Sequence, residues 1–345
     1  MKKILIIDDG IEFDSITVRE KPSGGAENAF VSMVEAISKF YKIKVFNNCK
    51  NVGYHEGVVW EKLSSKIENE KFDVLIINRG DKYLNFRSAC KNRIFWIHNP
   101  AKYLLKYRYL SKLFFNPTKI IFSSEYHLKT YPKWAPSKKR YIIPYGIDNL
   151  FLNSVKINKP KKPIAIFTSN PLRGLDWLLD RWENEIISKV PEAELHLYSG
   201  IETYGNFGSK HSNKILSILQ RAKQLRNLGV HLFKPLERSE LKKKILNARI
   251  FLYQGSKEET FCMAVAEAQT LGLPTVVCDY GCMNERVKNN ITGFVCDNNF
   301  SFSNNSVRLL KNENLWKQIN KNIKKNNECN KSWDEIAILW KKIIN

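Results

Sequence analysis

Short apolar runs alternate with helix-like segments along the whole chain, and this alternation limits the possible folds more than any other feature. Several runs consist almost entirely of Ile, Leu, Val and Phe, as expected for strands whose two faces are both buried. The pattern predicts an α/β fold in which helices cover parallel sheets. The predicted strands are residues 4–7, 43–46, 74–78, 94–97, 120–123, 141–143, 164–168, 194–198, 230–233, 250–254, 275–278 and 293–296.

The length of 345 residues is sufficient for two domains that each bury a core. Residues 144–163 are polar, contain three prolines and lack clear periodicity, so they predict a linker. We therefore place a first domain at 1–150 and a second at 160–330, and the longest helix of the second domain is predicted at 209–227. Ligands of doubly wound sheets bind beyond the carboxyl ends of the strands, which predicts an active site in the cleft between the domains.

The chain is strongly basic, with 56 Lys and Arg against 34 Asp and Glu and a net charge of +22. Such a charge attracts anionic partners, for example nucleic acid, an acidic membrane surface or phosphorylated small molecules. Lys, Asn and Ile are abundant throughout, so compositional bias accounts for the total equally well. The charge alone therefore identifies no partner.

The seven cysteines are odd in number and form no C-x-x-C pair, which predicts reduced, buried thiols. The alternative is a zinc site at Cys262, Cys278, Cys282 and Cys296, although their spacing matches no zinc module. The basic start is followed by four apolar residues, too few for a signal peptide, and no apolar run approaches the ~18 residues of a membrane span. We therefore expect a cytoplasmic protein.

Residues 258–277 carry the most informative pattern in the chain. A predicted strand leads through a short loop into a helix from about Phe261, with Glu259 at its entrance and Glu267 two turns inside. The helix is rich in Ala and other apolar residues, so a carboxylate at Glu267 needs a partner. The start of the helix offers free N–H groups and a positive dipole end, which suit a phosphate.

This stretch resembles the E-x7-E region of the retaining glycosyltransferases of family 4, within the glycosyl transferases group 1, which have the GT-B fold. The resemblance covers most of the chain, because residues 23–27, 143–148, 169–179 and 191–198 follow in the family's order. It implies two Rossmann-like doubly wound domains facing across a cleft. The first would bind the acceptor and the second the nucleotide sugar, and the C-terminal helix at 331–345 would cross back to the first domain.

The resemblance also implies how the donor is bound. Glu267 would accept hydrogen bonds from the ribose hydroxyls, Glu259 would accept them from hydroxyls of the donor sugar, and Arg173 would bind the diphosphate. Five further residues would act through their backbones near the sugar or the phosphates: Gly24, Gly25, Phe261, Cys262 and Met263.

One departure from the family's pattern concerns the phosphate loop. Many family members have two basic residues there, whereas this chain has Thr168 or Ser169 at the earlier position. Neutralisation of the diphosphate would then need help from Lys234 or Arg238.

For the reaction itself, the resemblance implies roles for Glu259, His98 and Arg173. His98 ends a strand and is similar to a position that touches the donor sugar, although a structural role is equally open. The family retains the anomeric configuration without a protein nucleophile, so no general base is assigned. No metal or other cofactor is expected, Asp8 and Asp9 are interpreted as loop residues near the acceptor, and the donor would be a nucleotide sugar such as UDP-glucose or GDP-mannose.

Residues 99–140 contain ten basic residues and a single acid. Within them, residues 103–115 mix aromatics, leucines and cations, as helices at membrane interfaces do. This predicts a peripheral position at the inner membrane face and a glycolipid or surface-glycan acceptor. The candidate contact residues are Lys102, Lys106, Arg108 and Lys112.

The same basic segment is equally consistent with an ordinary half-buried helix whose cations reach the solvent. The acceptor would alternatively be a soluble glycan or a nucleic acid. A non-catalytic nucleic-acid-binding protein is the third possibility, but no nucleic-acid-binding motif supports it.

Overall fold

The computed structural model describes residues 1–20, 23–87, 90, 92–158, 162–200, 211–326 and 330–345. The chain divides into two compact units. The first unit consists of Met1–Gly146 together with Lys331–Asn345, and the second consists of Ile147–Asn330.

The first unit is built on an eight-stranded sheet. Its strands are β1 Lys3–Asp8, β2 Lys42–Asn47, β3 Gly53–His55, β4 Val58–Lys62, β5 Val74–Asn78, β6 Arg93–Trp96, β7 Lys119–Phe122 and β8 Lys139–Ile142. The order across the sheet is β3-β4-β2-β1-β5-β6-β7-β8, and all neighbouring pairs are parallel except β3 with β4. The order reverses between β1 and β5, and this is the place where such sheets bind ligands.

Strands β3 and β4 were not predicted from the sequence. They form a hairpin whose turn, Glu56-Gly57, has positive φ at both residues, 51° and 82°. The hairpin lies at the edge of the sheet and is only partly buried, so its sequence lacks the continuous apolar run that marks the other strands.

The helices of the first unit are α1 Thr17–Glu20, α2 Gly25–Ser38, α3 Tyr107–Phe115, α4 Glu125–Lys129 and a C-terminal helix, Trp333–Ile344, with 3-10 helices at Ser65–Asn69 and Ala101–Leu105. The C-terminal helix starts with a capping box between Ser332 and Glu335 and packs on α2. Its Trp340 ring lies edge-on to Trp96, with the two centroids 5.2 Å apart. The end of the chain is thus part of the core of the first unit.

The second unit has a six-stranded, fully parallel sheet. Its strands are β9 Ile164–Phe167, β10 Glu194–Tyr198, β11 Val230–Phe233, β12 Ile250–Tyr253, β13 Thr275–Cys278 and β14 Gly293–Cys296. The order is β11-β10-β9-β12-β13-β14. This is the order of a dinucleotide-binding doubly wound sheet, and it reverses between β9 and β12.

The helices of the second unit are α5 Asn149–Leu152, α6 Leu175–Arg181, α7 Ser212–Gln224, α8 Arg238–Leu246, α9 Met263–Thr270, α10 Met283–Arg286, α11 Asn299–Lys311 and α12 Glu313–Lys325. A π-helix, Trp182–Ile186, and 3-10 helices at Ile187–Lys189 and Leu225–Leu228 complete the described elements. No helix among the described residues is long and apolar enough to cross a membrane.

Two predictions about these segments were wrong, and a third holds in part. The segment 144–163 is not a plain linker, because it contains α5 and its Ile157 bonds to Leu271. Helix α7 lies inside the predicted 209–227, and with 13 residues it is as long as α11 and α12 of the same unit. Helix α9 begins at Met263 rather than near Phe261, because Cys262 adopts a left-handed conformation with φ of 63° that cannot continue a helix.

Candidate functional site

The loops that follow β9 and β12 meet at the point where the strand order of the second unit reverses. The loop after β9 carries Arg173 and leads into α6, and the loop after β12 carries Glu259 and leads into α9. Because β9 and β12 are neighbours in the sheet, their carboxyl ends bring these two side chains together. The sheet topology therefore forms the site that the sequence predicted on separate segments.

Arg173 and Glu259 form an ion pair in which Nη1 lies 3.3 Å from Oε1. The same Nη1 donates to the Ser256 hydroxyl at 2.6 Å, and the Tyr253 hydroxyl donates to Glu259 at 2.5 Å. Burial and then the nearby Glu259 charge raise the pKa of Tyr253 well above its usual value, so the phenol stays protonated and donates. The Glu259 carboxylate is held in position from two sides.

Two glycines allow these loops to approach each other. Gly174 has φ of 88°, and a Cβ there would lie 2.4 Å from the side chain of Gln254 at the end of β12. Gly281 has φ of 60°, and a Cβ there would lie 2.5 Å from the Glu259 carbonyl oxygen. A side chain at either position would force the loops of the site apart.

The start of α9 carries the predicted backbone donors Phe261, Cys262 and Met263. Cys262 is the N-cap residue, and the first N–H groups of a helix have no partners within the helix itself. Burial raises the pKa of the Cys262 thiol well above its usual value, which keeps the sulfur protonated. The guanidinium of Arg286 lies 4.4 Å from the centre of the Phe261 ring and covers it.

Glu267 lies in α9 and is only 5% exposed. Nη2 of Arg238 donates to its Oε1 at 2.7 Å, and Nε of the same arginine lies 3.6 Å from Asp148. Burial raises the pKa of Glu267, and the Arg238 charge opposes this shift. The partner expected for a carboxylate in this apolar helix is therefore Arg238. Its guanidinium carbon also lies 5.1 Å from the centre of the Phe151 ring.

The two glutamates lie as predicted, Glu259 just before α9 and Glu267 inside it. Glu259 precedes α9 and its partners are Arg173, Tyr253 and Ser256, whereas Glu267 pairs with Arg238. The angle expected between two side chains eight positions apart in one helix therefore does not apply to Glu259 and Glu267. Each carboxylate is oriented by its own arginine.

A second cluster of charged residues lies where the strand order of the first unit reverses. Arg79, just after β5, donates from Nε to Asp8 at 3.0 Å and from Nη1 to Glu27 at 2.8 Å. Arg79 has φ of 52°, and its Nη2 is buried without a partner among the described residues. The interpretation of Asp8 as a loop residue was wrong, because it ends β1 and is fully buried, where Asn78 also bonds to it.

Gly24 and Gly25 mark the start of α2. Gly24 is the N-cap and Gly25 the first helical residue. A Cβ on Gly24 would lie 2.3 Å from Oε2 of Glu27, so the glycine makes room for the carboxylate that binds Arg79. The loop is fixed further by the Asn28 amide, which donates to the Ser23 hydroxyl and to the Gly24 carbonyl at 2.7 and 3.0 Å.

His98 is buried just beyond the end of β6, with hydrogen bonds at both ring nitrogens. Its Nε2 lies 2.7 Å from Oδ1 of Asn78 and its Nδ1 lies 2.5 Å from the Tyr145 hydroxyl. Burial, followed by the charge of Arg79, lowers the pKa of His98 well below its usual value. A neutral imidazole in this network links the residues around Arg79.

The predicted interfacial helix is divided in two. Lys102 lies in the 3-10 helix Ala101–Leu105, Lys106 separates it from α3, and Arg108 and Lys112 belong to α3. Asp81 pairs with Lys112 at 3.1 Å and lies 3.6 Å from Arg108. Two of the four candidate cations, Arg108 and Lys112, thus lie close to an acidic residue of the first unit.

Asp14 and the cysteines of the zinc alternative belong to no metal-ligating group among the described residues. Asp14 accepts backbone hydrogen bonds from Ile16, Thr17, Lys50 and Asn51, so it fixes a loop. The six described cysteines are free thiols, and within the described ranges the cysteines of the zinc alternative do not form a metal-binding group. The seventh, Cys329, lies outside the described residues.

Several residues of the two clusters were missed from the sequence. They are Glu27, Arg79, Tyr145, Asp148, Tyr253 and Ser256. Asp148 and Arg238 are 90 positions apart, and no local pattern connects them. Three of them could have been found from their position in the sequence. Arg79, Tyr253 and Ser256 each lie at or just beyond the end of a predicted strand.

Comparison with known proteins gives both a family match and a fold. Residues 207–326, which include Glu259 and Glu267, match the family model described as glycosyl transferases group 1. The match confirms the prediction of a glycosyltransferase domain. No curated protein matches the sequence.

Three solved structures illustrate the fold. HepE from Anabaena in complex with UDP and glucose is 13% identical over 99% of both chains, with a TM-score of 0.74. WaaG, a glycosyltransferase involved in lipopolysaccharide biosynthesis, is 12% identical over 99% of both chains, with a TM-score of 0.70. A mutant of S. aureus TarM in complex with fondaparinux, alpha-GlcNAc-glycerol and UDP is 16% identical over 79% of this chain, with a TM-score of 0.61.

This chain spans 56% of the length of TarM. At these identities the likeness concerns the fold. It confirms the predicted GT-B architecture with two α/β units.

Proposed function

We propose that the protein is a retaining glycosyltransferase of family 4 that transfers a sugar from a nucleotide-sugar donor to a lipid or surface-glycan acceptor. The observation that carries this proposal is the pair of arginine–glutamate contacts in the second unit, Arg173 with Glu259 and Arg238 with Glu267. Arg173 and Glu259 lie on the loops after β9 and β12, at the topological switch point where doubly wound sheets bind nucleotides, and Glu267 lies in the helix that follows β12. UDP in complex with HepE and TarM supports a nucleotide donor.

The first of these contacts suits a diphosphate. Arg173 uses Nη1 for Glu259 and Ser256, which leaves Nη2 as a donor for a phosphate oxygen as far as the described residues show. A guanidinium forms strong, directional hydrogen bonds to phosphate. Glu259 keeps the arginine in place before the donor arrives, and its second oxygen is left to accept from a sugar hydroxyl.

The reaction that we propose needs no protein nucleophile. The bond between the sugar C1 and the phosphate oxygen breaks, and a bond between C1 and the acceptor oxygen forms on the same face. The acceptor proton passes to the departing phosphate. Arg173 and the N–H groups at the start of α9 stabilise the negative charge that develops on the diphosphate. No metal or cofactor is required in this scheme.

The test begins with a thermal-shift screen of the full chain against UDP-, GDP- and ADP-sugars. We expect one nucleotide class to raise the Tm, because a ligand that binds only the folded state stabilises it. NMR of the product of the selected donor should then show the anomeric configuration of the donor. An inverted product would contradict retention, and the absence of a shift with every nucleotide sugar would contradict the donor site.

The acceptor proposal is based on an exposed surface of the first unit. Tyr107, Phe114 and Phe115 of α3 are 84%, 69% and 78% exposed. Lys102 and Lys106 are exposed on the adjoining turn. Exposed aromatics beside lysines are typical of proteins that rest on anionic membranes, because the rings enter the interface and the cations bind the headgroups. We therefore propose a peripheral location at the cytoplasmic face of the inner membrane.

Replacing both phenylalanines, Phe114→Ser with Phe115→Ser, is expected to weaken binding to anionic liposomes by about tenfold or more, because two apolar rings no longer enter the interface. Sedimentation with vesicles of anionic and of neutral lipid measures the effect. Phe300→Ser is the matched control, since Phe300 is 73% exposed but lies in the second unit. Equal sedimentation with both lipids would contradict the membrane location, and salt-sensitive binding to DNA instead would favour a nucleic-acid acceptor.

A further inference from the structure

A group of metal-ligating side chains lies on the second unit outside the candidate donor site. Glu194 and His196 are two residues apart on β10, and His231 lies on β11. Because alternate residues of a strand face the same side, and His196 is in register with His231, all three side chains lie on one face of the sheet. Strand β11 is the edge strand, so the group lies at the border of the sheet.

The three ligand atoms are close enough for one ion. Nε2 of His196 lies 2.7 Å from Oε2 of Glu194, and Nε2 of His231 lies 3.9 Å from the same oxygen. All three atoms lie within 4.8 Å of one another. Bonds of ~2.0–2.2 Å to a tetrahedral zinc ion place ligand atoms roughly 3.4 Å apart, so small rotations of the side chains suffice.

The surroundings are compatible with a bound cation. The side chains are 35%, 19% and 36% exposed for Glu194, His196 and His231, so solvent reaches the group. A carboxylate and neutral imidazoles are the forms of these side chains that bind metal ions.

We propose that Glu194, His196 and His231 bind a divalent transition-metal ion, with zinc as the best match. Two imidazoles and one carboxylate are ligands that zinc accepts, with water in the fourth position. The ion would replace the hydrogen bond between His196 and Glu194, with the imidazole proton moving to Nδ1. This site has no part in the proposed transfer reaction.

The ion would connect the edge strand to its neighbour. His231 supplies the ligand from β11, whereas the other two ligands come from β10, so the metal crosslinks the two strands. The rings of Tyr198 and Phe233, stacked 5.0 Å apart on the same pair of strands, lie beyond the group. Lys162 and Lys244 contribute positive charge nearby and therefore reduce the affinity for a cation.

The test measures zinc binding to the full chain, produced without a histidine tag, by competition with a chromophoric chelator. We expect one zinc ion to bind at this site, and His231→Ala and Glu194→Gln to weaken that binding by at least about tenfold, the effect of losing even an outer-sphere partner. Zinc should also raise the Tm of the wild-type chain and not of these variants. His211→Ala is the matched control, because this exposed histidine of the same unit is not part of the group.

A second measurement separates this site from the cysteines. The spectrum of the cobalt-loaded protein should show nitrogen and oxygen ligation without a thiolate-to-cobalt charge-transfer band. Zinc affinity that is the same in the wild type and in both ligand variants would overturn the proposal. A charge-transfer band that persists in these variants would likewise overturn it, since the metal would then be bound by cysteine. Glu194→Gln preserves the shape of the side chain, so the test does not depend on the folding of a single variant.

Discussion

Replacement of Arg173 by alanine is expected to lower kcat by about 10²–10³-fold, the effect of removing one group that stabilises transition-state charge. Arg173 is paired with Glu259 and Ser256 on the loops of the proposed donor site, where a departing diphosphate would gain negative charge. Initial rates at saturating donor measure the effect. Arg173→Lys should recover only part of the activity, because an ammonium group lacks the planar fork of the guanidinium.

The control for this experiment is Arg226→Ala. Arg226 is an exposed arginine of the same unit, in the 3-10 helix Leu225–Leu228, so its loss removes the same charge far in sequence from the loops of the proposed donor site. The Tm of each variant must be measured, because Arg173→Ala leaves Glu259 without its ion-pair partner. Unchanged kcat in a folded Arg173→Ala variant would show that the diphosphate is neutralised elsewhere.

Glu267→Ala is expected to raise the Kd of the donor nucleotide about 10- to 100-fold, because hydrogen bonds that involve a charged group contribute ~1.5–3 kcal/mol. Glu267 is 5% exposed and is oriented by Arg238, which in turn contacts Asp148. The carboxylate is thus held in one position, ready for the ribose hydroxyls that we propose it binds. Isothermal titration calorimetry with the nucleotide selected by the thermal-shift screen measures the change.

A nucleotide that lacks the 2′- and 3′-hydroxyls makes this test specific for the ribose. The wild type should bind this analogue more weakly than the parent nucleotide, whereas Glu267→Ala should bind both with the same affinity, as in a double-mutant cycle. Glu258→Ala is the control, since Glu258 is an exposed carboxylate in the loop before α9. A variant that still discriminates fully between the two nucleotides would contradict the ribose assignment.

The position of Arg238 shows whether it can replace the basic residue that the phosphate loop lacks at Thr168 or Ser169. The sequence suggested Arg238 as a second cation for the diphosphate, but in the structure it binds Glu267. Its charge therefore serves first to orient the carboxylate. Arg238 is a positioning residue for Glu267, and Lys234 remains the other proposed cation.

Twelve of the fourteen described strands were predictable to within one or two residues, because each of these carries its own hydrophobic pattern. The central strand β1 is a continuous apolar run, Ile4 to Ile7, that is at most 1% exposed. The hairpin of β3 and β4 was missed because an edge strand with one exposed face lacks such a run. The hydrophobic pattern of a short segment does not reveal a strand whose burial depends on elements that are distant in the chain.

The candidate site was only partly predictable for the same reason. Glu259, Glu267 and Arg173 were recognised from a family pattern, and Glu267 was expected to need a partner because its helix is apolar. The sequence indicated Arg238 only as an aid to the diphosphate and not as that partner. The ion pair of Arg79 with Asp8 and Glu27 was not foreseen, because it joins residues from two strand ends and a helix.

The sequence by itself determined the fold class, the order of strands and helices apart from the hairpin of β3 and β4, and the segments that carry the proposed donor-binding residues. These properties depend on hydrophobic periodicity and on short motifs, which are local. Only the tertiary structure decided which polar and charged side chains come together. It pairs Arg173 with Glu259 and Arg238 with Glu267, and it groups the three ligands Glu194, His196 and His231. Such pairs form because parallel strands align residues that are far apart in the chain, and the strand order across the sheet is not encoded in any single segment.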